Sequence, residues 1–197
     1  DSVYSNTSPA AIGVACHEAG HAVAMHSLST HDPVHQISII PSGKALGYTL
    51  NPPVEDKFSD YKNAMKEEIA MCLAGRAAEA LVCDDISGGA SGDIKRATAV
   101  AKKMVTIYGM SEALGTVHLG NPHGDDEVFL GRDFATSKNL SEQMASLVDA
   151  EIKIILDESF ARCESILNEK MDALVRVAEK LLEKEIIDAQ EMEALYM

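Results

Sequence analysis

His17-Glu18-Ala19-Gly20-His21 sits inside a run that opens at Ser8-Pro9 and stays small and apolar to about Leu28. Ser followed by Pro is a capping and first-turn pair, so a helix is expected from Pro9 to about Leu28. On that helix His17 and His21 stand four residues apart and share a face, so both imidazoles can reach one ion. Zinc favours nitrogen donors in a tetrahedral arrangement and, where it is catalytic, keeps one position open. It acidifies water there toward a pKa of about 7. Glu18 follows the first histidine and is placed to act as a general base. The plainer reading is two hydrogen-bonded histidines on a buried helix, which the small neighbours Ala15, Ala19, Gly20 and Ala22 would also suit.

A third protein ligand is needed, and its position sorts the zinc peptidases. One large class would carry Gly and His three and six residues beyond His21, where this chain has Ala24 and Ser27. Another would place a Glu about 20 residues on, in a helix, where Pro41 and a strand-like segment stand instead. Two more distant carboxylates remain. Asp93 ends Gly89-Ala90-Ser91-Gly92-Asp93 at an expected helix start, where acids are favoured and small residues allow close approach. Glu79 lies in Gly75-Arg76-Ala77-Ala78-Glu79, within another expected helix, and could instead orient a ligand histidine. Asp93 has the stronger physical case, with Glu79 as the alternative.

Outward from the motif, two short strands are expected in residues 34–40 and 45–49, around Pro41-Ser42-Gly43. Tyr61, Met65, Ile69, Leu73, Ala77 and Leu81 recur every four residues, so residues 59–82 read as an amphipathic helix. A third helix should run from Ser91 to before Gly109, with Ile94, Ala97, Ala101, Met104 and Tyr108 inward. Residues 115–119 and 128–130 are short apolar pieces, strand or extended loop. From Ser141 one stripe runs through Met144, Val148, Ile152, Leu156, Phe160, Cys163 and Leu167, and a second through Met171, Leu174, Ala178 and Leu181 on a separate helix. Asp188 and Glu191 form a capping box for a last short helix. The expected fold is mainly α, of the α+β kind, with a small sheet. Residues 1–139 would carry the motif helix and the distant acid, and residues 140–197 a C-terminal helical subdomain.

The 197 residues hold 17 Lys and Arg against 31 Asp and Glu, a net charge of −14. That balance disfavours nucleic acid and anionic membrane surfaces, which are themselves polyanions. No apolar run approaches the roughly 18 residues of a membrane helix, and no signal peptide is visible. The chain begins without Met and reads as a soluble piece of something longer. Its four cysteines have no metal-binding spacing and are expected to be free and buried. Ser87–Gly92 is glycine-rich, but no Lys stands at a phosphate-loop position and Asp93 would repel an anion, so nucleotide binding is not expected here. Segment 45–49, with Leu46, Gly47 and Tyr48, could accept an extended peptide as an added strand, or be an ordinary structural strand.

Beyond the histidine motif, Ile39-Ile40-Pro41, Ala45-Leu46-Gly47-Tyr48-Thr49, Gly75-Arg76-Ala77-Ala78-Glu79, Gly89-Ala90-Ser91-Gly92-Asp93, Met104-Val105-Thr106, Tyr108-Gly109-Met110-Ser111 and Val128-Phe129-Leu130-Gly131-Arg132 follow in order. In these pieces the chain resembles the peptidase domain of the FtsH-type AAA proteases, ATP-dependent zinc metalloproteases of bacterial and organellar membranes. Members usually carry Asn where Gly92 stands, Gly where Ala74 stands and an acid where Ala80 stands. The resemblance implies one Zn2+ per chain held by His17, His21 and Asp93, with Glu18 as catalytic base. It implies a homo-hexameric ring that digests unfolded or membrane-extracted proteins, at the bacterial inner membrane with this domain facing the cytoplasm, or at an organellar membrane. ATP and membrane contact would come only through segments this chain lacks, since it holds no G-x-x-x-x-G-K-[ST] loop. The rival reading is a non-catalytic ring-assembly module with a structural zinc.

Overall fold

The structure, a computed structural model, describes residues 7–29, 32–50, 61–120 and 141–197. Helix α1 spans Pro9–Ser27, and Ser8 caps it by accepting the Ala11 N–H at 3.2 Å. From Ala15 to Met25 every residue of α1 is buried, so the helix is covered all round. Its small side chains are the physical condition for that position, because neighbouring helices can come close on every side. Helix α2 spans Lys62–Val82. Along the α1–α2 seam a Cβ on Gly20 would lie 2.5 Å from the Cβ of Ala78 and 2.6 Å from the carbonyl oxygen of Ala74. The two backbones therefore approach as closely as small residues allow.

After α2 a 3-10 turn, Gly88–Ala90, runs straight into α3, Ser91–Thr106. Ala97, Ala101 and Met104 face the core as expected, but Ile94 and Tyr108 are 38% and 41% exposed. Ile94 stands in the first turn of α3, and Tyr108 lies past its end, so neither belongs to the stretch of the helix that is buried. Residues 115–119 form no strand; Leu119 N–H instead donates to the Thr106 carbonyl at 2.8 Å. The piece at 128–130 and the boundary between residues 139 and 140 lie outside the described residues.

Helices α4, Glu142–Glu169, and α5, Met171–Lys184, are separated by Lys170 alone. They pack little on each other: α4 lies on α2 and α3, and α5 lies on α1. The buried residues of α4 are Val148, Ile155, Ser159, Cys163 and Leu167, while the expected Ile152, Leu156 and Phe160 flank them half-buried. A stripe stepping by four drifts about 40° per step on a 3.6-residue helix, so part of it leaves the covered face.

Strands β1, Gln36–Ser38, and β2, Tyr48–Leu50, form the expected hairpin, but both are shorter than expected and β2 starts at Tyr48 and runs to Leu50 rather than over 45–49, so Leu46 and Gly47 lie before it. A third strand, β3, Ile186–Asp188, pairs with the other edge of β1. The order is β2-β1-β3, all antiparallel, with Ile37 opposite both Thr49 and Ile187. Glu185, in the left-handed conformation at φ 64°, ends α5 and turns the chain into β3. Asp188 then caps α6, Ala189–Tyr196, accepting the Glu191 N–H at 2.9 Å. One hydrophobic cluster holds residues from α1 through α6. All four cysteines are free; Cys16, Cys72 and Cys163 are buried and Cys83 is half-buried. No described helix is long and apolar enough to cross a membrane.

Candidate active site

The buried midpoint of α1 carries the histidine motif into contact with two other helices. His17 Nε2 and His21 Nε2 are 3.0 Å apart, and Asp93 Oδ2 lies 3.1 Å from the first and 3.2 Å from the second. Among the described residues these three are the one group of His, Cys, Asp and Glu side chains close enough to share a metal ion. Asp93 arrives from the first turn of α3, delivered by the 3-10 turn.

The far nitrogens are occupied by acceptors. His17 Nδ1 meets Glu79 Oε1 at 2.7 Å, and His21 Nδ1 meets the Met71 carbonyl oxygen at 2.8 Å. A carboxylate and a carbonyl only accept, so both Nδ1 atoms carry the proton and donate. Neutral rings then turn bare Nε2 lone pairs toward each other and toward Asp93. Burial disfavours the charged form of His17, yet the bonds from Asp93 and Glu79 and the nearby Glu18 charge win, so its pKa is raised. Burial likewise opposes ionisation of Asp93, but the two histidines hold its carboxyl below the usual range.

Glu79 does double duty, because its Oε2 accepts the backbone N–H of Ser87 at 2.6 Å. Arg76 donates to the Ser87 carbonyl at 2.9 Å, so α2 holds both the N–H and the C=O of Ser87. Glu18 points into the same space; its Oε2 accepts the hydroxyl of Thr49 at 2.7 Å. Leu46, Gly47 and Tyr48 line a cleft of about 710 Å³ that also includes His17, Glu18 and Asp93. Leu46 is 61% exposed.

Sequence reasoning singled out His17, Glu18, His21, Glu79 and Asp93, and the structure brings all five together. It missed Gly75, Thr49, Ser87 and the Met71 carbonyl. A Cβ on Gly75 would lie 2.5 Å from both Cε1 and Nε2 of His17. The available signal was a lone glycine inside a helix, which costs about 1 kcal/mol against alanine and so asks for a packing reason. Gly75→Ala is expected to force the ring out of place, destabilise the fold by about 1–3 kcal/mol, and weaken metal binding. Thermal unfolding without metal, followed by zinc titration, checks both parts.

The profile of Peptidase family M41 matches residues 7–195, and the chain belongs to that family. It is 50% identical over 183 residues to the ATP-dependent zinc metalloprotease FtsH 1 of Thermoanaerobacter sp. (strain X514), covering 93% of this chain and 30% of that protein. The ATP-dependent zinc metalloprotease FtsH of Caldicellulosiruptor bescii is 49% identical over 92% of this chain and 29% of its own length. FtsH 2 of Alkaliphilus metalliredigens is 47% identical over 92% of this chain and 26% of its own. The chain thus spans under a third of the curated relatives it matches. The names of these relatives support a zinc-dependent protease role for the family, the class that the resemblance implied.

Proposed function

We propose that this domain is a zinc endopeptidase in which His17, His21 and Asp93 hold the metal and Glu18 is the catalytic base. The observation that carries the reading is the triangle of bare acceptors. Two lone pairs and a carboxylate oxygen meet at 3.0–3.2 Å, an arrangement that needs positive charge at its centre. Donors about 2.0–2.1 Å from a tetrahedral zinc stand about 3.3 Å apart, close to these separations. The same field that favours a proton on His17 favours a cation.

A zinc ion held there supplies a Lewis acid that acidifies water and stabilises charge on a substrate carbonyl. The protein's own residues do the rest. Glu18 takes a proton from the attacking water and returns it to the leaving nitrogen. Glu79 and the Met71 carbonyl fix the Nδ1–H tautomers, which keeps both Nε2 atoms available and the rings in register. The wall at Leu46, Gly47 and Tyr48 belongs to the edge strand β2 and the segment before it. An extended substrate can lie there and be read through its backbone, which suits unfolded and membrane-extracted proteins of any sequence.

In the full-length protein we place this domain in a homo-hexamer, with residues 140–197 as a helical subdomain and one zinc per chain. An ATPase module and membrane anchor outside this chain would feed it, at the bacterial inner membrane facing the cytoplasm or at an organellar membrane. The test is metal analysis with cleavage of casein as an unstructured substrate. Expected are close to one zinc per chain, loss of cleavage on chelation and its return with zinc. Zinc retained without any cleavage would instead favour a structural metal in an assembly module.

A further inference from the structure

We propose that Thr49 is a positioning residue for the reaction: its hydroxyl fixes the carboxylate of Glu18 and so assigns Oε1 as the oxygen that moves the proton. The inference rests on the peptidase reading above. Thr49 Oγ1 donates to Glu18 Oε2 at 2.7 Å and lies 3.3 Å from the carbonyl oxygen of the same residue. A hydroxyl has one proton to give, and the carboxylate contact is the shorter and the charge-assisted one. Oε2 is therefore engaged. Among the described residues no donor reaches Oε1, although Glu18 is only 7% exposed. The carboxylate thus has one tethered oxygen and one left to exchange a proton, on a side chain that lines the cleft.

The surroundings are shaped for this contact. Side chains alternate along a strand, so Thr49 faces α1 while Tyr48 turns the other way, its hydroxyl accepting from Gln36 Nε2 at 3.3 Å. Gly47, two residues earlier, faces α1 as Thr49 does. A Cβ there would come within 3.0 Å of Glu18 Cγ and 2.8 Å of the Ser38 carbonyl oxygen. Gly47 leaves room for the methylenes of Glu18, and Thr49 holds its end. The strand that walls the cleft is therefore also the support of the base. A peptide that pairs with β2 braces that support at the moment the base is needed.

Thr49→Val keeps the shape and strand preference of the residue and removes only the hydroxyl. Thr49→Ser keeps the hydroxyl. With zinc-loaded protein and a flexible fluorogenic peptide, Thr49→Val is expected to lower kcat about 10- to 100-fold, with KM within about twofold. Zinc content and thermal stability should match wild type, and Thr49→Ser should recover kcat to within a few fold of it. Wild-type kcat in Thr49→Val overturns the proposal. So does a loss seen in KM alone, or a Thr49→Ser variant as slow as Thr49→Val, since packing rather than the hydroxyl would then be at work. In each of those cases the wild-type protein still cleaves and the peptidase reading stands. A zinc-loaded wild type that cleaves nothing overturns both.

Discussion

Glu18→Gln is expected to lower casein cleavage by about 10²- to 10⁴-fold and leave the zinc content unchanged. Glutamine has the same length, and its amide oxygen can still accept the Thr49 hydroxyl, so the side chain stays seated. What it loses is the ability to hold a proton between the two halves of the reaction. The three proposed metal donors, His17, His21 and Asp93, are untouched by the change. Initial rates together with metal analysis of the same samples separate the two roles. A variant that keeps wild-type turnover would remove Glu18 from the mechanism. One that loses zinc would make it part of the metal seat.

Asp93→Asn should cost at least about 10³-fold in zinc affinity, whereas Glu79→Gln should cost about 10- to 100-fold and retain zinc at micromolar concentrations. Both acids touch His17, but on opposite nitrogens: Asp93 at Nε2 and Glu79 at Nδ1. Only the first completes the triangle with His21. Asparagine offers a neutral oxygen where the site needs an anion. Glutamine in place of Glu79 can still accept from His17 Nδ1 through its amide oxygen. Competition with a chromophoric chelator measures both affinities. The opposite order would exchange the two roles.

The part of this site that is local in sequence was legible. His17, Glu18 and His21 lie within five residues of one helix, and helical spacing alone puts the imidazoles together. The distant members were legible only as candidates. Glu79 and Asp93 are both acids on helices with a glycine within one turn, and the side of His17 each reaches depends on how α2 and α3 cross α1. Thr49 was unreadable as a contact, because strand alternation gives its face only once the register against Ile37 is known. Strand β3 was missed for a related reason. Ile186-Ile187-Asp188 is too short to show a period, and its partner lies at the other end of the chain. The inward assignment of Ile94 and Tyr108 failed because periodicity marks a face but does not say how much of its length is buried.

The central position of β1 bears on how the domain matures during synthesis. Its two partners are separated by most of the chain: β2 follows after about ten residues, while β3 comes about 150 residues later. A two-stranded hairpin is marginal in water, so the wall beside Glu18 gains its third strand only after Ile186–Asp188 have left the ribosome. Helices α1 to α3 can meet earlier and bring the histidines toward Asp93. The nascent chain can thus assemble a metal seat well before the groove beside it is finished. Formation of β3 is the slow, long-range closure that completes that groove.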